Sequence, residues 1–115
     1  MNTSLDFRDS LPLTEATYFI LLSLSARPRH GYAIIKDVEA LSGGRVVFST
    51  STLYSALKRL LASRWIERVP DADPDGRERK PYALTRLGRR LLEAEVARLQ
   101  ALLSAAELRV VEGRA

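Results

Sequence analysis

The chain has 115 residues, 46% of them hydrophobic, which is enough for one modest core and leaves no room for a second, catalytic domain. Cysteine is absent, which excludes disulfides and thiolate zinc sites. There is neither a signal-peptide pattern nor an apolar run near the roughly 18 residues of a membrane span, so we expect a cytoplasmic protein. The net charge of +4 is regional: residues 45–90 carry 11 lysines and arginines against 5 acidic residues, as expected of a segment that contacts phosphate.

Two helices are predicted in the first third of the chain. Thr14 suits the N-cap of a helix that begins at Glu15 and stops before Pro28, and this helix is apolar on most sides, so it belongs in a core. A second amphipathic helix is predicted from Gly31 to Ser42, ended by two glycines. The segment from Arg45 to Phe48 is predicted to be a short strand.

A third helix follows a run of four hydroxyl residues that can cap it, and it has one apolar face. Its other face and its start carry hydrogen-bond donors and no acid: Ser49, Thr50, Ser51, Thr52, Tyr54, Ser55, Lys58 and Arg59. A solvated helix surface would be the plain explanation. We prefer a surface that enters the major groove of DNA, because an α-helix fits that groove and these side chains can reach base edges and phosphates.

A hairpin is predicted next, with strands at Trp65–Val69 and Tyr82–Leu84 and a polar loop between them that suits turns. Arg77, Arg79 and Lys80 in this loop are predicted to contact the DNA backbone. Trp65 is expected to pack over the core.

The last helix is predicted from Arg86, capped by Thr85, to about Val110. Its apolar residues alternate at spacings of four and three, which is typical of a coiled-coil seam, and the predicted dimerisation residues are Leu92, Val96, Leu99, Leu103 and Ala106. One small domain cannot cover a helix about 37 Å long, so we expect a homodimer. Arg86, Arg89 and Arg90 oppose the helix dipole, which indicates either a phosphate partner or pairing with acidic residues of the loop.

The order of these elements predicts a mainly α protein with a minor β component, a winged helix-turn-helix with a long C-terminal dimerisation helix. Several motifs then resemble the PadR family of transcription regulators: LTEATYFIL at 13–21, HGY at 30–32, GG at 43–44, TLYSALKRL at 52–60, and GR at 76–77 through LT at 84–85. The resemblance covers about residues 11 to 105, and the single last helix is similar to the short-tailed branch of that family.

The resemblance implies a dimeric DNA-binding repressor, an inverted-repeat operator, and control by a small-molecule effector or a stress signal. Ser49, Thr50 and Ser51 replace the family's more usual proline and glycine, and Pro81 stands where an aromatic residue is frequent. Some short-tailed members hold aromatic drugs between tryptophans of the last helix. Because no aromatic residue follows Tyr82 in this chain, that drug site is not carried over.

We therefore predict a flexible N-terminal arm at 1–11, a winged helix-turn-helix domain at 12–84 and a dimerisation helix with its tail at 85–115. The expected partners are double-stranded DNA and a second copy of the chain. No cofactor and no catalytic site are predicted. The alternative is an adaptor that keeps the winged fold but binds an acidic protein instead of DNA.

Overall fold

The computed structural model describes residues 9–70 and 80–114. Its elements run in the order α1 (Glu15–Ala26), α2 (Gly31–Leu41), α3 (Thr50–Ala62), β1 (Ile66–Arg68), β2 (Tyr82–Leu84) and α4 (Arg86–Arg114). The strands β1 and β2 pair antiparallel, with Ile66 opposite Leu84 and Arg68 opposite Tyr82. This arrangement confirms the winged helix-turn-helix prediction, with β1 and β2 forming the wing.

Three helices begin at the side-chain caps that the sequence predicts. The hydroxyl oxygen of Thr14 accepts a hydrogen bond from the N–H of Thr17 at 3.1 Å, and that of Ser49 accepts one from the N–H of Thr52 at 3.2 Å. Thr85 caps α4 in the same way, with Gly88 as the donor at 3.0 Å. Each cap satisfies a backbone donor that the helix itself cannot satisfy, so these three helix starts are set locally.

The predicted strand at 45–48 does not form. Instead of joining a sheet, the N–H of Val46 donates to the hydroxyl of Ser42 at 2.9 Å. The extra β pairing lies before α2, where Arg29 and Tyr82 exchange two backbone hydrogen bonds of 2.9 Å each. The third partner of the wing therefore comes from the segment between α1 and α2.

The core lies where α1 is enclosed by α2, β2 and the first half of α4. It is formed by Ile20, Leu21, Leu24, Ile34, Val38, Phe48, Leu53, Ala56, Leu57, Leu60, Ile66, Tyr82, Leu91 and Leu92. Trp65 packs against this core in a half-buried position, as predicted. Most of the predicted arm at 1–11 lies outside the described residues, but Leu11 itself also packs against the core.

The first turn of α4 rests directly on the chain that joins α3 to β1. A Cβ atom placed on Gly88 would overlap the carbonyl oxygen of Trp65, so only glycine permits this approach. The hydroxyl of Thr85 also donates to the carbonyl oxygens of Arg64 and Trp65, at 2.7 and 3.0 Å. The start of α4 is thus held against the base of the wing.

The two halves of α4 differ in their surroundings. Leu91 and Leu92 are buried in the core of their own chain and Val96 is half-buried, whereas every residue from Leu99 to Arg114 is exposed. Leu92 is therefore a core residue of its own subunit, and the structure corrects the predicted seam at this position. The heptad spacing starts at Leu92 because the same helix face continues from the core onto the free end. Among the described residues no helix is long and apolar enough to cross a lipid bilayer.

Candidate nucleic-acid interface

The exposed face of α3 carries the polar side chains that the sequence singled out. Leu53, Ala56, Leu57 and Leu60 point into the core, while the opposite side presents a shallow open depression. The depression is lined by Ser51, Thr52, Ser55, Lys58 and Arg59. The amphipathic pattern therefore leaves one continuous surface of hydroxyls and cations on α3, which we call the α3 face.

Ser49 and Thr50 stand at the start of this face, and both are exposed. The hydroxyl of Ser49 lies 2.8 Å from that of Thr52 in addition to capping the helix. Ser49 thus fixes the first turn of α3 as well as bordering the surface. No acidic residue occupies that turn, so an approaching phosphate would find the positive end of the helix dipole unneutralised.

Tyr54 is not part of the α3 face. Its side chain points toward the start of α2, where its hydroxyl oxygen would be 2.5 Å from a Cβ atom on Gly31. It lines a second depression of about 360 Å³ together with His30, Gly31, Tyr32, Arg68, Lys80 and Tyr82. We call this depression the junction pocket because α2, α3 and the wing meet there.

Arg68 holds the wing side of the junction pocket. Its Nε donates to the carbonyl oxygen of Lys80 at 2.7 Å, and its guanidinium carbon lies 4.4 Å from the centroid of the Tyr82 ring. These contacts fix Lys80 to the wing, where it lines the junction pocket opposite residues of α2 and α3. Arg77 and Arg79, the other cations predicted for the wing, lie outside the described residues.

Two further cations lie in this region, Lys36 and Arg68, and no pattern in the sequence assigned a role to either of them. Tyr32 is 70% exposed, and the Nζ of Lys36 lies 5.6 Å from the centroid of its ring. The i, i+4 spacing of Tyr32 and Lys36 was the available signal, since residues four apart on a helix are neighbours.

The cations around the α3 face and the junction pocket have no carboxylate partner in the part of the chain that the structure describes. Lys36, Lys58, Arg59, Arg68 and Lys80 form no ion pair within the described ranges 9–70 and 80–114. The same ranges contain no group of His, Cys, Asp or Glu side chains that could hold a metal ion. The geometry therefore suits an anion as extended as a nucleic-acid backbone, with hydroxyls available for hydrogen bonds to bases or phosphates.

The exposed half of α4 forms a separate apolar surface. Of the predicted dimerisation residues, Leu99 and Leu103 are 38% and 59% exposed, and Ala106 is also exposed. Further large apolar side chains are exposed on the same half: Leu102, Leu108, Val110 and Val111. This amount of apolar surface on one isolated helix indicates a partner.

Known proteins match both the sequence and the fold. The model of the transcriptional regulator PadR-like family matches residues 20–94. An uncharacterized 37.1 kDa protein in transposon TN4556 of Streptomyces fradiae is 40% identical over 81 residues, which is 70% of this chain and 22% of that protein. The chain thus spans about a fifth of the length of that curated relative.

Two solved structures show the same architecture. A PadR-like transcriptional regulator from Bacillus cereus superposes with a TM-score of 0.69 at 22% identity, covering 83% of this chain and 90% of that one. Bacillus subtilis PadR in complex with operator DNA superposes with a TM-score of 0.62 at 26% identity, covering 74% of this chain and 48% of that one.

Proposed function

This chain belongs to the PadR-like family of transcriptional regulators, and we propose that it is a sequence-specific DNA-binding repressor that acts as a homodimer on an inverted-repeat operator. The observation that carries the proposal is the α3 face, which presents hydroxyls and cations and no carboxylate. In a winged helix-turn-helix, α3 is the helix that is suited to the major groove. The similarity to Bacillus subtilis PadR, whose structure contains operator DNA, supports the same assignment.

The α3 face and the wing have different tasks in this proposal. Ser51, Thr52 and Ser55 reach base edges, while Lys58 and Arg59 contact phosphates at the margin of the groove. Lys80, together with Arg77 and Arg79 beyond it, contacts the backbone next to that groove. The remaining predicted contacts, Ser49, Thr50 and Tyr54, position α3 through its first turn and through its packing on α2.

The dimer forms through the exposed half of α4. Leu99, Leu103 and Ala106 pack against the same helix of a second copy, with Val96 at the edge of the interface. Residues 12–84 are thereby assigned to DNA binding, residues 85–115 to dimerisation and residues 1–11 to an arm. Two-fold symmetry then presents two α3 helices to half-sites about 34–36 Å apart or a multiple of that distance.

Control by a small-molecule effector belongs to the proposal as well. A partly apolar groove of about 340 Å³ lies between α1 and α4, lined by Leu13, Glu15, Tyr18, Phe19, Arg45, Glu95, Arg98 and Leu99. Leu99 belongs both to this groove and to the proposed interface. A ligand bound here would alter the angle between α1 and the paired helices, and with it the spacing of the two α3 helices.

The decisive experiment begins with selection of bound duplexes from a random pool. A palindromic consensus is expected, since a symmetric dimer reads two identical half-sites. With that duplex, Lys58→Ala should reduce the slope of log K against log salt by roughly 0.9 for each lost phosphate contact, and Lys80→Ala should do the same. The control is Arg109→Ala, at the far end of α4.

The same experiment can contradict the proposal in two ways. A consensus without symmetry would remove the homodimer from it. No retention of any duplex at low salt would remove DNA binding and leave the adaptor that binds an acidic protein.

A further inference from the structure

A second group of cations surrounds the start of α4, outside the α3 face and the junction pocket. It consists of five exposed arginines, which we call the arginine cluster: Arg27, Arg64, Arg86, Arg89 and Arg90. They come from three places in the sequence, namely the end of α1, the turn between α3 and β1, and the first two turns of α4.

Two hydrogen bonds from side chains to backbone carbonyls bring these three places together. The hydroxyl of Thr85 donates to the carbonyl oxygen of Arg64 at 2.7 Å, which fixes the turn after α3 to the start of α4. An Nη of Arg89 lies 3.5 Å from the carbonyl oxygen of Ser25, so α4 also reaches the end of α1, two residues before Arg27. The arginine cluster is therefore one surface region.

The charges of the arginine cluster are not balanced by the described part of the protein. Four other arginines of the chain each have a carboxylate partner: Arg29 with Asp37, Arg45 with Glu15, Arg98 with Glu95 and Arg109 with Glu112. Within residues 9–70 and 80–114 no member of the arginine cluster has one. The arginine cluster therefore differs from these four arginines in lacking a carboxylate partner within the described residues.

The position on α4 adds an electrostatic cost. Arg86, Arg89 and Arg90 lie in the first turns of a helix whose N-terminal end is positive, and that end carries no acid to offset them. In contrast, α1 begins with Glu15. Residues that disfavour the helix in which they lie are expected at functional sites, because binding of a partner can offset the cost in stability.

We propose that the arginine cluster binds the phosphates of DNA that flanks the operator, beyond the wing. This inference rests on the proposed function and extends the interface past the segment that α3 and the wing cover. A guanidinium offers a planar fork that suits phosphate oxygens. Protein interfaces have an apolar centre, whereas DNA interfaces are polar and positive. In the first two turns of α4, Leu87 is the one large apolar side chain that is exposed, at 36%, so DNA fits better than a protein partner.

The distance to the wing sets the length of flank that is needed. Arg86 follows Lys80 by six residues, so at about 3.3 Å per residue the two are at most about 20 Å apart. Each base pair advances the duplex by about 3.4 Å along the helix axis, so a flank of at most roughly six base pairs spans this distance. A duplex that bends toward the protein would meet it there.

The test compares two duplexes. One ends at the inverted repeat, and the other is extended by about ten base pairs on each side, which exceeds the six calculated from the axial rise per base pair. The wild-type protein should bind the extended duplex about tenfold more tightly or better and with a steeper salt slope. A triple variant, Arg86→Ala with Arg89→Ala and Arg90→Ala, should lose that difference and retain wild-type affinity for the short duplex.

Two controls separate this effect from damage to the fold. Replacing the same three arginines by lysine should keep most of the salt slope, because lysine retains the charge. The alanine triple variant should melt near the wild-type temperature, since it loses the long Arg89 contact to the Ser25 carbonyl but also removes cations that oppose the helix dipole. Arg109→Ala should leave the binding of both duplexes unchanged.

Each other result overturns the inference. Equal losses on both duplexes would show that the arginine cluster belongs to the central interface, and no loss on either would leave an acidic protein as its partner. Wild-type protein that binds both duplexes equally would refute the flank contact while leaving the proposed function intact. Wild-type protein that binds neither duplex would refute both.

Discussion

Replacing Glu95 by alanine should detach the start of α1 from α4. The Glu95 side chain is only 2% exposed, and one of its carboxylate oxygens accepts the N–H of Leu13 at 2.8 Å. Both carboxylate oxygens also bind Arg98, at 2.5 Å to Nε and 3.1 Å to Nη2. Glu95 therefore joins segments 82 positions apart in sequence.

The contacts allow an estimate of the cost. Leaving the N–H of Leu13 without an acceptor in a part-buried position costs about 1–3 kcal/mol. The Arg98 side chain keeps 33% exposure, so solvent screens the ion pair and its loss adds only about 0.5–1 kcal/mol. Glu95→Ala should thus reduce the free energy of unfolding by about 1.5–4 kcal/mol. Glu95→Gln keeps an acceptor for Leu13 and should cost about 0.5–1 kcal/mol.

Urea denaturation followed by far-ultraviolet circular dichroism measures both variants. The control is Glu93→Ala, an exposed glutamate on the same helix, which should change the free energy of unfolding by less than about 0.5 kcal/mol. If Glu95→Ala is no more destabilising than Glu93→Ala, or if Glu95→Gln costs as much as Glu95→Ala, the role given to the Leu13 hydrogen bond is refuted.

Four further outcomes are expected. The hydrogen bond from Arg98 holds the pKa of Glu95 below its ordinary value of 4.5, so the stability that the charged form adds is present above about pH 4.5 and is lost as the pH falls below it. In an acid titration, the difference in the free energy of unfolding between wild type and Glu95→Gln should therefore shrink. A difference that stays constant would contradict this. Gly88→Ala should cost about 3 kcal/mol or more and lower the melting temperature, because the new methyl group would overlap the Trp65 carbonyl; an unchanged melting temperature would disprove the close approach. Leu103→Glu should yield monomers in sedimentation at micromolar concentration while Ala97→Glu, on the other side of α4, stays dimeric, and dimers in both would move the interface elsewhere. Ser49→Ala removes the cap of α3 and should cost about 1 kcal/mol in thermal denaturation, whereas Thr50→Ala, which removes no cap, should have a smaller effect.

Features that depend only on neighbouring residues could be predicted from the order of residue types. Thr14, Ser49 and Thr85 were identifiable as caps because a cap needs only the backbone donors of the next turn. The division of α3 into a buried and an exposed face followed from a spacing of three and four residues. Helix order, wing and family could therefore be predicted, and the structure and the comparisons confirm them.

Contacts between residues far apart in the chain became visible only once the packing of the helices and the wing was known. Tyr82 pairs with Arg29 across more than 50 positions, Glu95 binds Leu13, and Tyr54 turns to the start of α2 and away from the α3 face. Heptad spacing could not show that Leu92 lies within its own core, because a helix presents the same pattern to its own chain and to a partner. Such contacts depend on how whole elements pack together, and no local pattern of residue types records that arrangement.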